Sequence, residues 1–331
     1  MVFTDLKGWM PIDALVVDGR PGLAWLEIDG VDFVEPFFQQ TVDRFRANHP
    51  ELEERFTEFH TLVQLEKTFD SVAPTGFIFH SSRCGSTMLA NACRAITGAV
   101  VVSEPPAVDK LIARLITDVD DHGTKEKLYS VFVRAVVKAL GQRGSGNERH
   151  LFIKFACCSV SQLERIQRIW PNVPWVFLYR DPVETMVSNV ENLPAWLLDE
   201  DRRVLASITG TSIDAIAEMT VAELCARAIG SFYATANRVA NDRSLLLNYN
   251  QLSAAEISNV MQFFGVTPAA SEMETIARES QKYSKSPSDA PTFVADADRK
   301  QQAASELVRE MAARWANEPY QLLEKKRLGI Q

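Results

Sequence analysis

Short apolar runs alternate along this chain with longer stretches in which apolar and polar residues recur at helical spacing. From Phe77 onward the apolar runs predict strands at Gly76–Phe79, Ala99–Ser103, Leu151–Phe155, Trp175–Tyr179 and Ser244–Asn248, with amphipathic helices between them. Strands buried on both faces read as nearly continuous apolar runs, and their alternation with helices is how βαβ units cover a parallel sheet. The expected fold is α/β, a central mostly parallel sheet flanked by helices in three αβα layers. Punctuation agrees: Gly98 can close the first helix, "GQRGSGNE" reads as a surface loop, and "PNVP" separates a helix ending near Trp170 from the next strand.

The first 70 residues have a different texture. There "ALVVDGRPGLAWLEI" predicts two short strands around an Asp18-to-Gly22 turn, followed by a helical stretch near Phe37 to Phe59. The expected organisation is an amino-terminal accessory segment over 1–70, a short β hairpin plus helix, and an α/β domain over 71–331. Lys300 to Leu328 predicts a carboxy-terminal helix. The preceding "SKSPSDAPTFVADAD" is too rich in Ser, Pro and Asp for regular structure and is expected to be a loop or an ordered lid.

Composition narrows the function classes. A chain of 331 residues, 46% hydrophobic and 24% charged, can bury a sizeable core. A net charge of -8 argues against a general nucleic-acid binder, while leaving room for local basic pockets. The amino terminus lacks the basic start and apolar core of a secretory signal, and no apolar run approaches the roughly 18 residues that span a bilayer. The expectation is a cytoplasmic protein without a membrane span. Five cysteines with no C-x-x-C pair suggest reduced thiols rather than a disulfide framework or a zinc site.

The segment "FIFHSSRCGSTMLANACRAITG", Phe77 to Gly98, reads as strand, small-residue loop and helix, an arrangement that offers helix N–H groups to an anion. A Walker loop, G-x-x-x-x-G-K-[ST], would require glycine at His80 and lysine at Ser86, and both are missing. Without that lysine, magnesium-dependent chemistry on ATP or GTP is disfavoured. Arg83 instead places a planar fork inside the loop, suited to a phosphate or sulfate group. A cysteine phosphatase is disfavoured as well, because that chemistry needs the cysteine ahead of the loop and the arginine closing it, and Arg83 precedes Cys84.

This segment, "HSSRCGSTML", resembles the 5′-phosphosulfate loop of the sulfotransferases that use 3′-phosphoadenosine 5′-phosphosulfate (PAPS), at Arg83, Cys84, Gly85, Ser86 and Thr87. A second stretch, "VFLYRDPVETMVSNV", resembles the family's later fingerprint, with Arg180 at a strand end and Ser188 eight positions on. The resemblance spans Gly76 to Val266 and includes "LFIKFACCSVSQLERIQRIW" and "SLLLNYNQL", where Asn250 departs from the acidic residue family members often carry. It implies a P-loop-like fold, PAPS as co-substrate, no metal, and transfer of a sulfuryl group to a hydroxyl or amine of a small-molecule, sugar or lipid acceptor. Arg83 to Thr87 would hold the 5′ side. Arg180 and Ser188 would hold the 3′-phosphate, with Lys282 and Lys285 closing over it.

For the general base, Glu104 in "VVVSEPP" follows the second strand of the α/β region, and a carboxylate near apolar walls is expected to have a raised pKa. His80, at the end of the first of those strands, is the alternative base or an orienting group. Lys154 contacts the sulfate or acceptor, or else lies along the surface. The region from Asn192 to Thr220, with Trp196 and Leu197, is a candidate apolar acceptor wall or else ordinary helix packing. Two other readings stay open, a P-loop-type nucleotide-binding kinase and a non-catalytic sulfotransferase-like binding protein.

Overall fold

The sheet that organises the molecule is built from β4 (Pro74–His80), β5 (Ala99–Ser103), β6 (His150–Lys154), β7 (Trp175–Tyr179) and β8 (Ser244–Asn248), in the spatial order β5-β6-β4-β7-β8. All four neighbouring pairs are parallel. The computed structural model of the chain describes residues 6–28, 33–67, 69–114, 122–198, 202–280 and 296–330. Three of the five strands, β5, β7 and β8, carry the bounds the apolar runs predict.

The strand interiors are apolar because helices cover both faces, and the polar residues His80, Ser103, Lys154 and Asn248 come at strand ends. All five residues of β7 are buried. Successive side chains point to opposite faces, so Phe77, Phe79, Trp175 and Phe177 join one core while Ile78, Val176 and Leu178 join the other. On the first face Phe79 and Phe155 stack with centroids 4.7 Å apart. The long helix Val221–Val239 lies on that side, and a Cβ on its Gly230 would meet the Trp315 carbonyl oxygen at 2.1 Å, so glycine lets the carboxy-terminal helices approach.

A second, antiparallel sheet precedes the first, formed by β1 (Trp9–Val17), β2 (Arg20–Glu27) and β3 (Arg55–Glu58). The Asp18-Gly19 turn between β1 and β2 has φ of 50° and 76°, the pair of left-handed residues a tight hairpin needs. The single helix expected from Phe37 to Phe59 is instead a helix over Phe38–Asn48, then β3, then a helix over Phe59–Leu65. Pro50 cannot continue the first helix, and "RFTE" pairs with β2 through Trp25↔Arg55 and Gly22↔Glu58. The carboxy-terminal helix is likewise divided, into Ala297–Ala303, Glu306–Trp315 and Asn317–Arg327. Ser305 caps the second of these by accepting from the Val308 N–H at 3.3 Å, and Pro319 fits the first turn of the third.

The amino-terminal elements are fastened to the α/β part. Trp25, Phe38 and Leu62 share a buried apolar cluster with Val136 and Leu140. Lys110 pairs with Asp13 at 2.7 Å, and Arg94 donates to the Glu35 carbonyl at 2.9 Å. No helix among the described residues is long and apolar enough to cross a membrane.

Candidate functional site

A cleft of about 860 Å³ opens at the carboxyl ends of the sheet strands, and His80, Arg83, Cys84, Gly85, Ser86, Thr87, Glu104, Arg180 and Ser188 all line it. The loops after β4, β5, β6 and β7 converge there because β4 lies between β6 and β7, the place where the chain's crossovers change side. Lys282 and Lys285 lie outside the described residues.

The loop after β4 is wound tightly. Ser82 and Arg83 have φ of 77° and 51°, conformations that cost non-glycine residues about 1–3 kcal/mol each. Hydrogen bonds hold them. The Ser82 N–H donates to His80 Nδ1 at 3.1 Å and the Ser82 hydroxyl to Asn189 Oδ1 at 3.1 Å. Gly85 follows with φ of 83°, and a Cβ there would strike Leu252 at 2.6 Å. Helix Ser86–Arg94 has Gly85 as its N-cap, which offers no side chain, and Ser86, Thr87 and Met88 of its first turn line the cleft. Cys84 is buried beneath the loop, donates to the Leu178 carbonyl at 3.2 Å, and has its thiol pKa pushed up by burial, which makes it inert rather than nucleophilic.

The two arginines are held differently. Arg83 donates to the Asn192 carbonyl at 2.7 Å and to Asn189 Oδ1 at 3.4 Å, both neutral acceptors. Arg180, 2% exposed, donates to Glu184 Oε2 and to Asp296 Oδ1, each at 2.6 Å, and its guanidinium lies 4.1 Å from the Tyr249 ring centroid. It is no surface residue. Burial works against its charge, but the two carboxylates outweigh it and raise its pKa. Asp296 is shared with buried Lys300 at 2.9 Å; burial works to raise its pKa, and its bonds to Lys300 and Arg180 bring it below the ordinary value.

Glu104 is the centre of a third cluster. It follows β5 with φ of 53°, and its N–H donates to the Lys154 carbonyl at 2.6 Å. Its Oε1 meets the Lys154 ammonium and lies 3.3 Å from His80 Nε2. Lys154 is 1% exposed, so it points inward from the end of β6 rather than along the surface. The raised pKa expected of Glu104 is corrected here. Burial does push it up, but the charge of Lys154, with His80 adding a hydrogen bond, wins and holds the carboxyl well below the ordinary range. Asp109 behaves in the opposite way: burial raises it to about 7, although the Ser159 hydroxyl donates to it at 2.8 Å and the Ala156 N–H at 3.1 Å.

The His80 ring is oriented by these contacts. Because Nδ1 accepts from the Ser82 N–H, the proton of a neutral ring sits on Nε2 and faces Glu104. In that tautomer both nitrogens are committed, and a base is required to have a free lone pair.

Several lining residues carry no signal in the sequence motifs, among them Phe37, Arg299 and Lys300, while Tyr249 lies within "SLLLNYNQL" and Asp296 within the expected loop or lid. Glu184 could have been read from its i,i+4 spacing to Arg180. Asn250, standing where an acidic residue was expected, lies in the turn Tyr249–Gln251, where its N–H donates to Asn248 Oδ1 at 3.1 Å.

No protein-family model matches the chain, and no curated protein matches it in sequence. Solved structures similar to it include a sulfotransferase from Alicyclobacillus acidocaldarius, 14% identical over 78% of this chain and 96% of that one, with a TM-score of 0.44. Sulfotransferase STF9 from Mycobacterium avium is 11% identical over 82% of this chain and 80% of its own, with a TM-score of 0.44. Mouse sulfotransferase SULT7A1, complexed with PAP, is 14% identical over 82% of this chain and 91% of its own, with a TM-score of 0.34. Likenesses of this order carry no functional weight.

Proposed function

We propose that the protein is a sulfotransferase that moves a sulfuryl group from PAPS to a hydroxyl or amine of a small acceptor, with Glu104 as general base. One observation carries this reading: Arg83 and Arg180, from separate strand ends, line a single cleft together with Glu104. That cleft can hold two anionic groups of one ligand and a base, which is what transfer from a 3′,5′-bisphosphorylated donor requires.

The residues present fit such a donor. Gly85 leaves the room a Cβ would take, and first-turn N–H groups of helix Ser86–Arg94, with the Ser86 and Thr87 hydroxyls, would cradle its 5′ side. Arg83 would neutralise charge on the departing phosphate, since its present partners are neutral and release its fork at little cost. Arg180 and Ser188 would take the 3′-phosphate, with Lys282 and Lys285 assisting. PAPS supplies the sulfuryl group: the acceptor oxygen or nitrogen bonds to sulfur as the bond from sulfur to the 5′-phosphate oxygen breaks, and adenosine 3′,5′-bisphosphate (PAP) leaves.

Glu104 takes the acceptor's proton. His80 orients the carboxylate through its Nε2–H and is a positioning residue. Lys154 keeps Glu104 ionised, and as that ammonium turns toward donor oxygens the proton affinity of Glu104 rises when it is needed. No metal enters this scheme. The larger part of the chain, 71–331, supplies the donor site.

Glu104→Gln tests the assignment. Turnover falls about 10²- to 10⁴-fold, while calorimetric PAP affinity stays within about twofold of wild type. Unchanged turnover removes Glu104 as base. Wild-type protein that binds ATP–Mg and ignores PAP would establish the kinase reading, and PAP binding with no transfer to any acceptor would establish a binding protein.

A further inference from the structure

We infer that the acceptor presents its reactive hydroxyl on an apolar body, such as a phenol or a long-chain alcohol, and that Phe37 of the amino-terminal segment selects it. This rests on the sulfuryl-transfer reading and deepens it.

The lining of the cleft is divided by chemistry. Once the phosphate-binding groups and the Glu104, His80 and Lys154 cluster are set aside, the lining divides into an apolar part, Phe37, Ala156, Cys157, Cys158, Pro194 and Trp196, and a polar part in which Arg299 pairs with Glu191 at 3.1 Å beside Asn192. No side chain of the apolar part carries a charge or an amide. Ala156 to Cys158 begin two residues after Lys154 in the chain, and the Phe37 ring centroid lies 4.8 Å from the Lys154 ammonium. The apolar surface therefore begins beside the base itself. Apart from the Trp196 indole N–H and the weakly donating thiols, the side chains there offer a polyhydroxylated acceptor no partner for the water it gives up, and each unpaired group costs about 1–3 kcal/mol. A ring or alkyl chain carries no such penalty and gains from burial.

Phe37 is built to stay in place. Its neighbour Phe38 is 1% exposed, and its own N–H donates to Gln40 Oε1 at 3.3 Å at the start of helix Phe38–Asn48. Two residues earlier, the Glu35 carbonyl accepts from Arg94, in the last turn of the helix that begins at the phosphate loop. The amino-terminal segment is thus tied to the donor-binding helix and delivers an aromatic ring to the reacting end of the cleft. This gives that segment a function, which is to wall the acceptor.

The test compares 2-naphthol, 1-decanol, glucose and glucosamine as acceptors with PAPS, for wild type, Phe37→Ala and Phe37→Leu, with PAP affinity measured in parallel. Wild type is expected to prefer one or both apolar alcohols over either sugar by about 100-fold or more in kcat/KM. Phe37→Ala should lower kcat/KM for the preferred acceptor about tenfold or more, chiefly through KM, with PAP affinity unchanged and Phe37→Leu partly restoring it. Preference for 2-naphthol over decanol marks an aromatic body, and the reverse marks an aliphatic one. A PAP-binding enzyme that favours the sugars, or a Phe37→Ala variant that affects all four acceptors alike, overturns the inference and leaves the sulfotransferase reading standing. Failure of wild type to bind PAP overturns both.

Discussion

Arg83 and Arg180 stand in the same cleft, yet they are held in opposite ways. Arg83 sits on a strained loop and donates to an amide and a backbone carbonyl, both neutral. Arg180 is buried between the carboxylates of Glu184 and Asp296. A guanidinium among neutral acceptors keeps most of its charge available to an incoming anion. One already neutralised by two carboxylates must have a partner displaced or share it. The 5′ half of the site is therefore open to its ligand, whereas the 3′ half holds an internal anion in Asp296 that a phosphate has to outcompete.

The largest expected effect breaks the 3′ half. Arg180→Ala leaves Glu184 buried without its charge partner and should destabilise the protein by about 3–5 kcal/mol, read from denaturant unfolding. Arg83→Ala should leave stability within about 1 kcal/mol of wild type, because it strands no charge, but should lower turnover about 10²- to 10³-fold. Equal stability losses in the two variants would erase the contrast.

Asp296→Asn sharpens it further. Removing the internal anion frees one tooth of the Arg180 fork, and PAP should bind several-fold more tightly, about 1 kcal/mol by calorimetry. Weaker binding would mean that Asp296 helps to hold the ligand rather than competing with it.

A further effect, read as a slope against pH, concerns two carboxyl groups that the protein pushes apart. Glu104, depressed below its ordinary 4.5, contributes stability that is full above that value and is lost as the pH falls through its folded-state pKa. Asp109, raised from 3.8 to about 7, binds its proton more tightly when folded, so stability declines as the pH rises through that window. Asp109→Asn keeps an acceptor for Ser159 and Ala156 and should flatten the slope of unfolding free energy between those two pH values. An unchanged slope would show that another group sets it.

Much of this was legible in the sequence because it is local. The strands β5, β7 and β8 announce themselves as apolar runs, since helices cover the sheet on both faces. The loop Arg83–Thr87 and the pair Arg180 and Ser188 could be placed because each follows such a run directly. What escaped is long-range. The Lys154–Glu104 pair joins residues 50 apart and the Arg180–Asp296 pair residues 116 apart, and no local pattern says that either will meet. Once Lys154 is known to be buried, the low pKa of Glu104 follows from charge, but burial of a lysine at a strand end is decided by the fold. Division of the expected helices was a nearer miss, since Pro50 and Ser305 mark the breaks.

The central claim is that one adenine nucleotide bridges Arg83 and Arg180 without a divalent ion. Calorimetric titration of the wild-type protein in EDTA, with PAP compared against 5′-AMP, tests it directly. PAP should bind at least about tenfold more tightly than 5′-AMP, with no gain on adding magnesium. Equal affinity for the two ligands, or binding of PAP that appears only with magnesium, would contradict it.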